Sequence, residues 1–258
     1  MGGCGKWGSF WLGAILLLAL GAYPAAYAAC PTFTADAPRT IAKVFDGDTF
    51  VLVDGTRVRL AGIDTPELGH DKRPDAPWAR DAERLLGRIL AESGGQVRLE
   101  PAQDAHDAYG RLLAYTYTRA GRSIQEQILQ AGLALGYARP PNLGHIDCYR
   151  AAETQARQRH LGLWQAHPQT ADTLPSDFAG FARVQGVVRR VKRTRRSFWI
   201  DLDKRLSLRI AQEDMIHFAS FDLDHLMGHE LEVRGYVHLY RGQSQIRIRH
   251  PADLRIAD

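Results

Sequence analysis

FDGDTFVLVDGTRVRLAGIDTPE, residues 45–67, alternates apolar and polar positions like a β-strand and bends like a hairpin. Its runs VLV and TRVRL flank Asp54-Gly55, a pair that predicts a two-residue turn with positive φ at both positions. Asp48, Arg59, Asp64 and Glu67 nevertheless crowd into the same short, otherwise apolar segment. Charges placed so close to strands need partners if they are to be buried.

Working outward, the chain reads strand, turn, strand, turn, strand from Ile41. Trp78, Ala82, Leu85, Leu86, Ile89 and Leu90 recur at helical spacing, and Gly94-Gly95 end that helix. VRLE (97–100) and LLAYTYT (112–118) supply two more strands. Ser123 with Glu126 makes a capping box for a second helix that ends near Gly132. A third helix runs from about His145 to about His160 and closes on Leu163-Trp164. Five strands and three helices predict a mainly β, α+β domain over 38–166, a Greek-key barrel of the OB type.

QAHPQTADTLPSD (165–177) is polar, aperiodic and carries two prolines, so 167–179 is expected to be a linker. Beyond it ARVQGVVRRV, SFWIDL and LSLRIA read as strands, followed by a helical segment around 213–227. ELEVRGYVHLY and QSQIRIRH then turn about Arg241-Gly242. This predicts a second, smaller OB-like β-barrel over 180–258.

At 258 residues, 45% hydrophobic and 24% charged, the chain suits one large or two small folded domains and is a poor candidate for disorder. Its formal charge of +4 leans toward an acidic partner, and its distribution says more than its size. Lys6, the apolar run WLGAILLLALGAYPA and Ala26-Tyr27-Ala28 have the layout of a secretory signal peptide over 1–28. An uncleaved anchor fits less well because the run is short and broken by Pro24. A lipoprotein signal ending at Cys30 fits less well because Tyr27 stands where an aliphatic residue is wanted. The expectation is export to the periplasm or medium, with no stable membrane insertion once the leader is removed. Cleavage would discard Cys4 and leave Cys30 and Cys148, an even pair able to form one disulfide in an oxidising compartment.

Asp48 enters one strand and Asp64 follows another, so hairpin topology brings both to one end of the barrel. Two carboxylates there repel unless something positive lies between them, and a hard divalent cation, calcium or magnesium, suits such oxygen donors. Arg59, and Arg111 in DAYGR, could each fork onto a phosphate. Glu67, three residues past Asp64, could take a proton from water. Taken singly, these residues read as turn and surface positions. Together they fit phosphodiester hydrolysis.

DGDT (46–49), VRLAGIDTPE (58–67), DAYGR (107–111) and the later AGLA, PPN and LGLW resemble the staphylococcal nuclease (thermonuclease) family over roughly residues 40–165. That resemblance implies a calcium-dependent OB-fold nuclease acting on DNA and RNA without a small-molecule cofactor. Carried over by motif, Asp48 and Asp64 would bind Ca²⁺ by side chain and Thr65 by its carbonyl. Arg59 and Arg111 would contact the scissile phosphate, and Glu67 would orient or deprotonate water. Tyr109 and Tyr137 would line the nucleotide pocket, and Lys72 and Arg73 would hold substrate backbone. The products implied are 3′-phosphate and 5′-hydroxyl ends. Ala108 replaces the family's lysine, and Arg139 stands where a second tyrosine would follow Tyr137. A non-catalytic nucleic-acid-binding protein on this scaffold is the alternative, although pure binding has no use for the acidic centre.

RRVKRTRR (189–196) holds six basic residues of eight: Arg189, Arg190, Lys192, Arg193, Arg195 and Arg196. SFWIDL follows directly, and alternation sends one of Phe198 and Trp199 inward. Basic charge beside Trp199 predicts nucleic-acid binding by the second barrel, although anionic membranes or cell-wall polymers would need the same charges. Cutting the chain near residue 170 is then expected to leave cleavage intact and weaken binding.

Overall fold

A computed structural model describes residues 1–3, 29–69 and 74–257. The apolar run and cleavage signal of the expected leader, and the loop residues Lys72 and Arg73, lie outside the described residues. The first unit comprises β1 (Arg39–Val44), β2 (Thr49–Leu52), β3 (Arg57–Leu60), β4 (Ile63–Asp64), α1 (Ala79–Glu92), β5 (Gln96–His106), β6 (Leu112–Thr118), α2 (Ile124–Gln130), β7 (Leu135–Gly136) and α3 (Ile146–Gln158). Its barrel closes in the order β1-β2-β3-β6-β5, and β3 and β6 run parallel. Phe50, Leu52, Val58, Leu60, Val97, Leu99 and Ala114 alternate inward to form its core, against Leu86 of α1 and Ile128 of α2.

Local chemistry departs from expectation at two points. At the β2–β3 turn Gly55 alone takes positive φ (86°), while the Asp54 carboxylate accepts the Thr56 N–H at 2.9 Å. The hairpin therefore closes on one left-handed glycine rather than two left-handed residues. At α2, Ser123 accepts the Glu126 N–H (3.2 Å), but Glu126 takes the Cys30 N–H (3.2 Å) instead of returning to Ser123. Half of the capping box forms, and Glu126 instead anchors the chain at Cys30. Cys30 and Cys148 are joined by a disulfide, with Cα atoms 5.0 Å apart.

The second unit comprises β8 (Gln169–Thr170), β9 (Gly180–Arg193), β10 (Ser197–Leu202), β11 (Leu206–Ala211), β12 (Glu230–Tyr240), β13 (Gln243–Arg247) and β14 (Leu254–Ile256). Strands β9-β10-β11-β13-β12 close on themselves through the β12–β9 pairing, and β11 and β13 are parallel, which repeats the order of the first barrel. The segment expected to be helical around 213–227 forms two short 3₁₀ turns, Gln212–Phe218 and Asp224–Leu226, because Phe218, Leu223 and Leu226 pin it onto the barrel core at irregular spacing.

The expected linker needs correction. Gln169 and Thr170 pair in parallel with β9, and Ala171 and Leu174 are buried in the second core. Polar composition concealed two inward-facing apolar residues. The barrels also share an extensive contact. Arg234 of β12 reaches both Glu153 carboxylate oxygens on α3 and the Ala252 carbonyl (2.9 Å). Glu232 of β12 pairs with Arg157 of α3 (2.7 Å) and with Arg255 (2.9 Å). Trp164 lies beneath the Arg183 guanidinium, 4.4 Å from its ring centre.

Asp253 at this junction accepts the Ala138 N–H (3.1 Å) and stands 3.6 Å from Arg234 Nε. Burial pushes its carboxyl up to about 7, opposed by Arg234 and the Ala138 N–H and assisted by Glu153. A carboxyl raised in the folded state contributes stability below its ordinary value of 3.8, and that stability is lost as pH rises through about 7. Thermal stability of the metal-free protein is expected to fall between pH 4 and pH 8, and Asp253→Asn to flatten part of that slope. An unchanged slope in the variant would refute the assignment.

Candidate active site

Asp48 is held where it is by backbone. Its carbonyl accepts the Leu60 N–H (2.9 Å), which places it beside Arg59 on the neighbouring strand. Gly47 permits this, because a Cβ there would lie 2.5 Å from Ala82 Cβ and 2.8 Å from Thr65 Oγ1. Asp48 Oδ2 accepts both the N–H (3.0 Å) and the hydroxyl (2.9 Å) of Thr65, and Oδ1 accepts the Thr49 hydroxyl (3.1 Å). Asp64 follows from the β4–β7 pairing, where it lies opposite Leu135.

Arg59 binds the two acids together. Nε lies 3.0 Å from Asp48 Oδ1 and Nη2 is 2.7 Å from Asp64 Oδ1, while Nη1 donates to the carbonyls of Leu60 (2.8 Å) and Ile63 (2.9 Å). The side chain is 12% exposed, so this mid-strand arginine, which taken singly reads as a surface position, is enclosed by its acidic neighbours. Burial disfavours its charge, but Asp48 and then Asp64 hold its pKa above the ordinary range.

One guanidinium does not neutralise this cluster. Asp46 accepts the Asp48 N–H (3.0 Å), and its carboxyl is pushed up to about 6 by burial and then by the Asp48 charge. Burial, opposed by Arg59 and assisted by Asp48, pushes Asp64 to about 7. Sequence reasoning passes over Asp46, although DGDT displays it, because one aspartate beside a glycine reads as turn chemistry.

Arg111 reaches the same face through register. Val58 pairs with Leu112 and Arg59 with Leu113, so Arg111 lies diagonally from Arg59 on the outside of the β3–β6 pair. Asp107 fixes it, accepting the N–H groups of Tyr109 (2.9 Å) and Arg111 (3.0 Å) with Oδ1 and Arg111 Nε (2.6 Å) with Oδ2. Tyr109 is 84% exposed, with the Arg111 guanidinium over its ring. Glu67 is exposed, and its charge acts on Asp64.

The site also contains a residue that sequence reasoning missed. Tyr236, on β12 of the second barrel, donates its hydroxyl to Asp64 Oδ1 at 2.8 Å. Tyr137, whose N–H bonds the Gly62 carbonyl beside β4, packs edge-on against Phe181 (5.3 Å) and Tyr236 (5.7 Å). No local signal in ELEVRGYVHLY points to this role, because the partner lies 172 residues away.

The basic run divides. Arg189 pairs with Asp203, Arg190 with Asp201, and Arg193 with Asp224. Lys192, Arg195 and Arg196 are exposed, Phe198 is the residue that points inward, and Trp199 stays half-buried on the outer face opposite Lys192.

Fold and site define an OB-barrel protein with a buried cluster of acids about one arginine at the barrel end. The chain belongs to the staphylococcal nuclease homologue family, which matches residues 57–166. It is 37% identical over 133 residues to endonuclease YncB of Bacillus subtilis, covering 48% of this chain and 60% of that protein. Identity to the SPbeta prophage-derived endonuclease YokF of the same organism is 36% over 141 residues, 52% of this chain and 46% of the relative. Thermonuclease of Staphylococcus intermedius is 32% identical over 128 residues, 48% of this chain and 74% of the relative. The chain thus spans roughly half of the first two relatives, and the family match ends before the second barrel.

Proposed function

We propose that the protein is an exported, calcium-dependent nuclease that hydrolyses phosphodiester bonds of DNA and RNA, leaving 3′-phosphate and 5′-hydroxyl ends. The observation that carries this reading is the bonded set Thr65–Asp48–Arg59–Asp64, with Arg111 on the same barrel face. The leader pattern and the Cys30–Cys148 bond support export, since such bonds persist in oxidising compartments.

The donor chemistry suits a hard cation. Asp46, Asp48 and Asp64 outnumber Arg59, and two of the three carboxyls are raised by burial with Asp48 adding repulsion. Asp48 and Asp64 would hold Ca²⁺ by side chain and Thr65 by its carbonyl; among the described residues no ready-made group of three or more His, Cys, Asp or Glu stands as a metal cage. When bound, Ca²⁺ supplies positive charge at the phosphate oxygens and carries water into the site. Arg59 Nε and Nη2 are engaged by Asp48 and Asp64; with those carboxylates turned to Ca²⁺, the same edge would fork onto two phosphate oxygens. Arg111 offers a second fork, steadied by Asp107. Together they stabilise the charge that builds at phosphorus. Glu67 accepts a proton from the water whose oxygen bonds to phosphorus, the bond from phosphorus to the 5′ oxygen breaks, and that oxygen takes a proton from solvent to leave the 5′-hydroxyl.

The purified protein is expected to degrade single-stranded and duplex DNA with calcium and to stop in chelator. Full activity in chelator would overturn the metal assignment. Glu67→Ser should lower turnover about 10²- to 10⁴-fold, whereas a protein that only binds would show no cleavage for Glu67 to affect.

A further inference from the structure

The outer face of the second barrel carries a groove of about 220 Å³ whose lining includes Arg190, Lys192, Trp199, Tyr240, Arg241 and Gln243. It lies between the basic loop that joins β9 to β10 and the Arg241–Gly242 turn that joins β12 to β13. We propose that this groove binds single-stranded nucleic acid and passes it along β12 to the nuclease site, an inference that rests on the nuclease reading above.

Three observations carry it. Trp199 and Tyr240 present aromatic rings from different walls, and Tyr240 is 53% exposed with the Arg241 guanidinium over its ring. Lys192 and Arg241 are exposed cations, and the one acid in the lining, Asp201, is engaged by Arg190 (2.6 Å) and Ser207 (2.7 Å). Aromatic platforms in a basic groove fit unpaired bases and a phosphate backbone, whereas duplex bases are already stacked and offer no free faces. Finally, Tyr236, His238 and Tyr240 alternate outward along β12. At about 3.3 Å per residue, Tyr240 stands about 13 Å along the strand from Tyr236, whose hydroxyl touches Asp64.

The face also resolves the basic run. Strand pairing sets Lys192 beside Trp199 and Arg190 beside Asp201 on the groove side. Arg189 and Arg193 alternate with them and are occupied by Asp203 and Asp224. The strongest charge density of the sequence therefore meets the strand through only part of its length.

The test measures anisotropy of a labelled 12-nucleotide single strand, and of a duplex of equal length, on the purified protein in chelator so that nothing is cut. Trp199→Leu and Tyr240→Ala are each expected to weaken single-strand binding about tenfold and duplex binding less. Lys192→Gln should reduce the slope of log affinity against log salt by about 0.7. Tyr240 and Lys192 are exposed, so their variants keep the fold even if Trp199→Leu does not. Wild-type affinity in the Tyr240 and Lys192 variants would overturn the site. So would equal losses for single strand and duplex, or retention on phosphatidylserine vesicles by a protein that ignores the oligonucleotide. Groove-dependent binding by a protein that cuts nothing with calcium would support this site and remove the nuclease reading alone.

Discussion

Arg59→Leu is expected to lower cleavage at least about a hundredfold and to destabilise the metal-free protein by about 3–5 kcal/mol. The two losses have one origin. Arg59 is the cation between Asp48 and Asp64, each 5% exposed, and it also satisfies the carbonyls of Leu60 and Ile63. Its removal leaves buried like charges facing each other with two carbonyls unpaired. Asp64, already raised by burial and no longer opposed by Arg59, responds by holding its proton, so the loss should be larger at pH 8 than at pH 5. Calcium should restore part of the stability, since it replaces the missing charge, but not the cleavage, since it does not replace the phosphate fork. Urea unfolding with and without calcium, alongside a cleavage assay, separates these effects. Wild-type stability of the variant in chelator would show that the cluster is solvated rather than bound together by Arg59.

Arg234→Met should have a comparable effect on stability at the junction between the barrels. Arg234 neutralises Glu153 and faces Asp253, and both acids are buried. Without it Glu153 keeps the Gly136 N–H (2.9 Å), which does not neutralise a charge. A loss of about 3–5 kcal/mol is expected, and adding Glu153→Gln should recover part of it, because the pair rather than either residue is what burial requires. The second barrel should then loosen, Tyr236 should leave Asp64, and the segment 167–179 should become sensitive to protease. This result would also settle the expectation that the chain can be cut near residue 170 without harm to the first barrel. With Glu153, Arg157 and Tyr137 all packed against the second barrel, truncation is expected to destabilise the first barrel. Unfolding of wild type and variant at the same temperature would refute the coupling.

Much of this was legible residue by residue. Alternation in VLV and TRVRL, the Asp54-Gly55 turn and the Gly94-Gly95 stop each encode local geometry, and each produced its element. DGDT and IDTPE keep Asp48, Thr65 and Asp64 close in sequence, so hairpin topology alone is enough to bring the acids together. Arg111 needed the parallel β3–β6 pairing to join them, and the DAYGR motif served as its marker. The linker misled because two buried residues, Ala171 and Leu174, do not make a period.

By itself the sequence determined the two barrels, the acidic end of the first and the charge carried by the second, because periodicity, turn residues and spacing act within a few residues. Only the tertiary structure decided how the barrels meet. It set Tyr236 on Asp64, closed Arg234 on Glu153, and chose which members of the basic run face Trp199 and Tyr240. Those contacts depend on two surfaces whose residues lie far apart in the chain, and no local pattern records which surface will find the other.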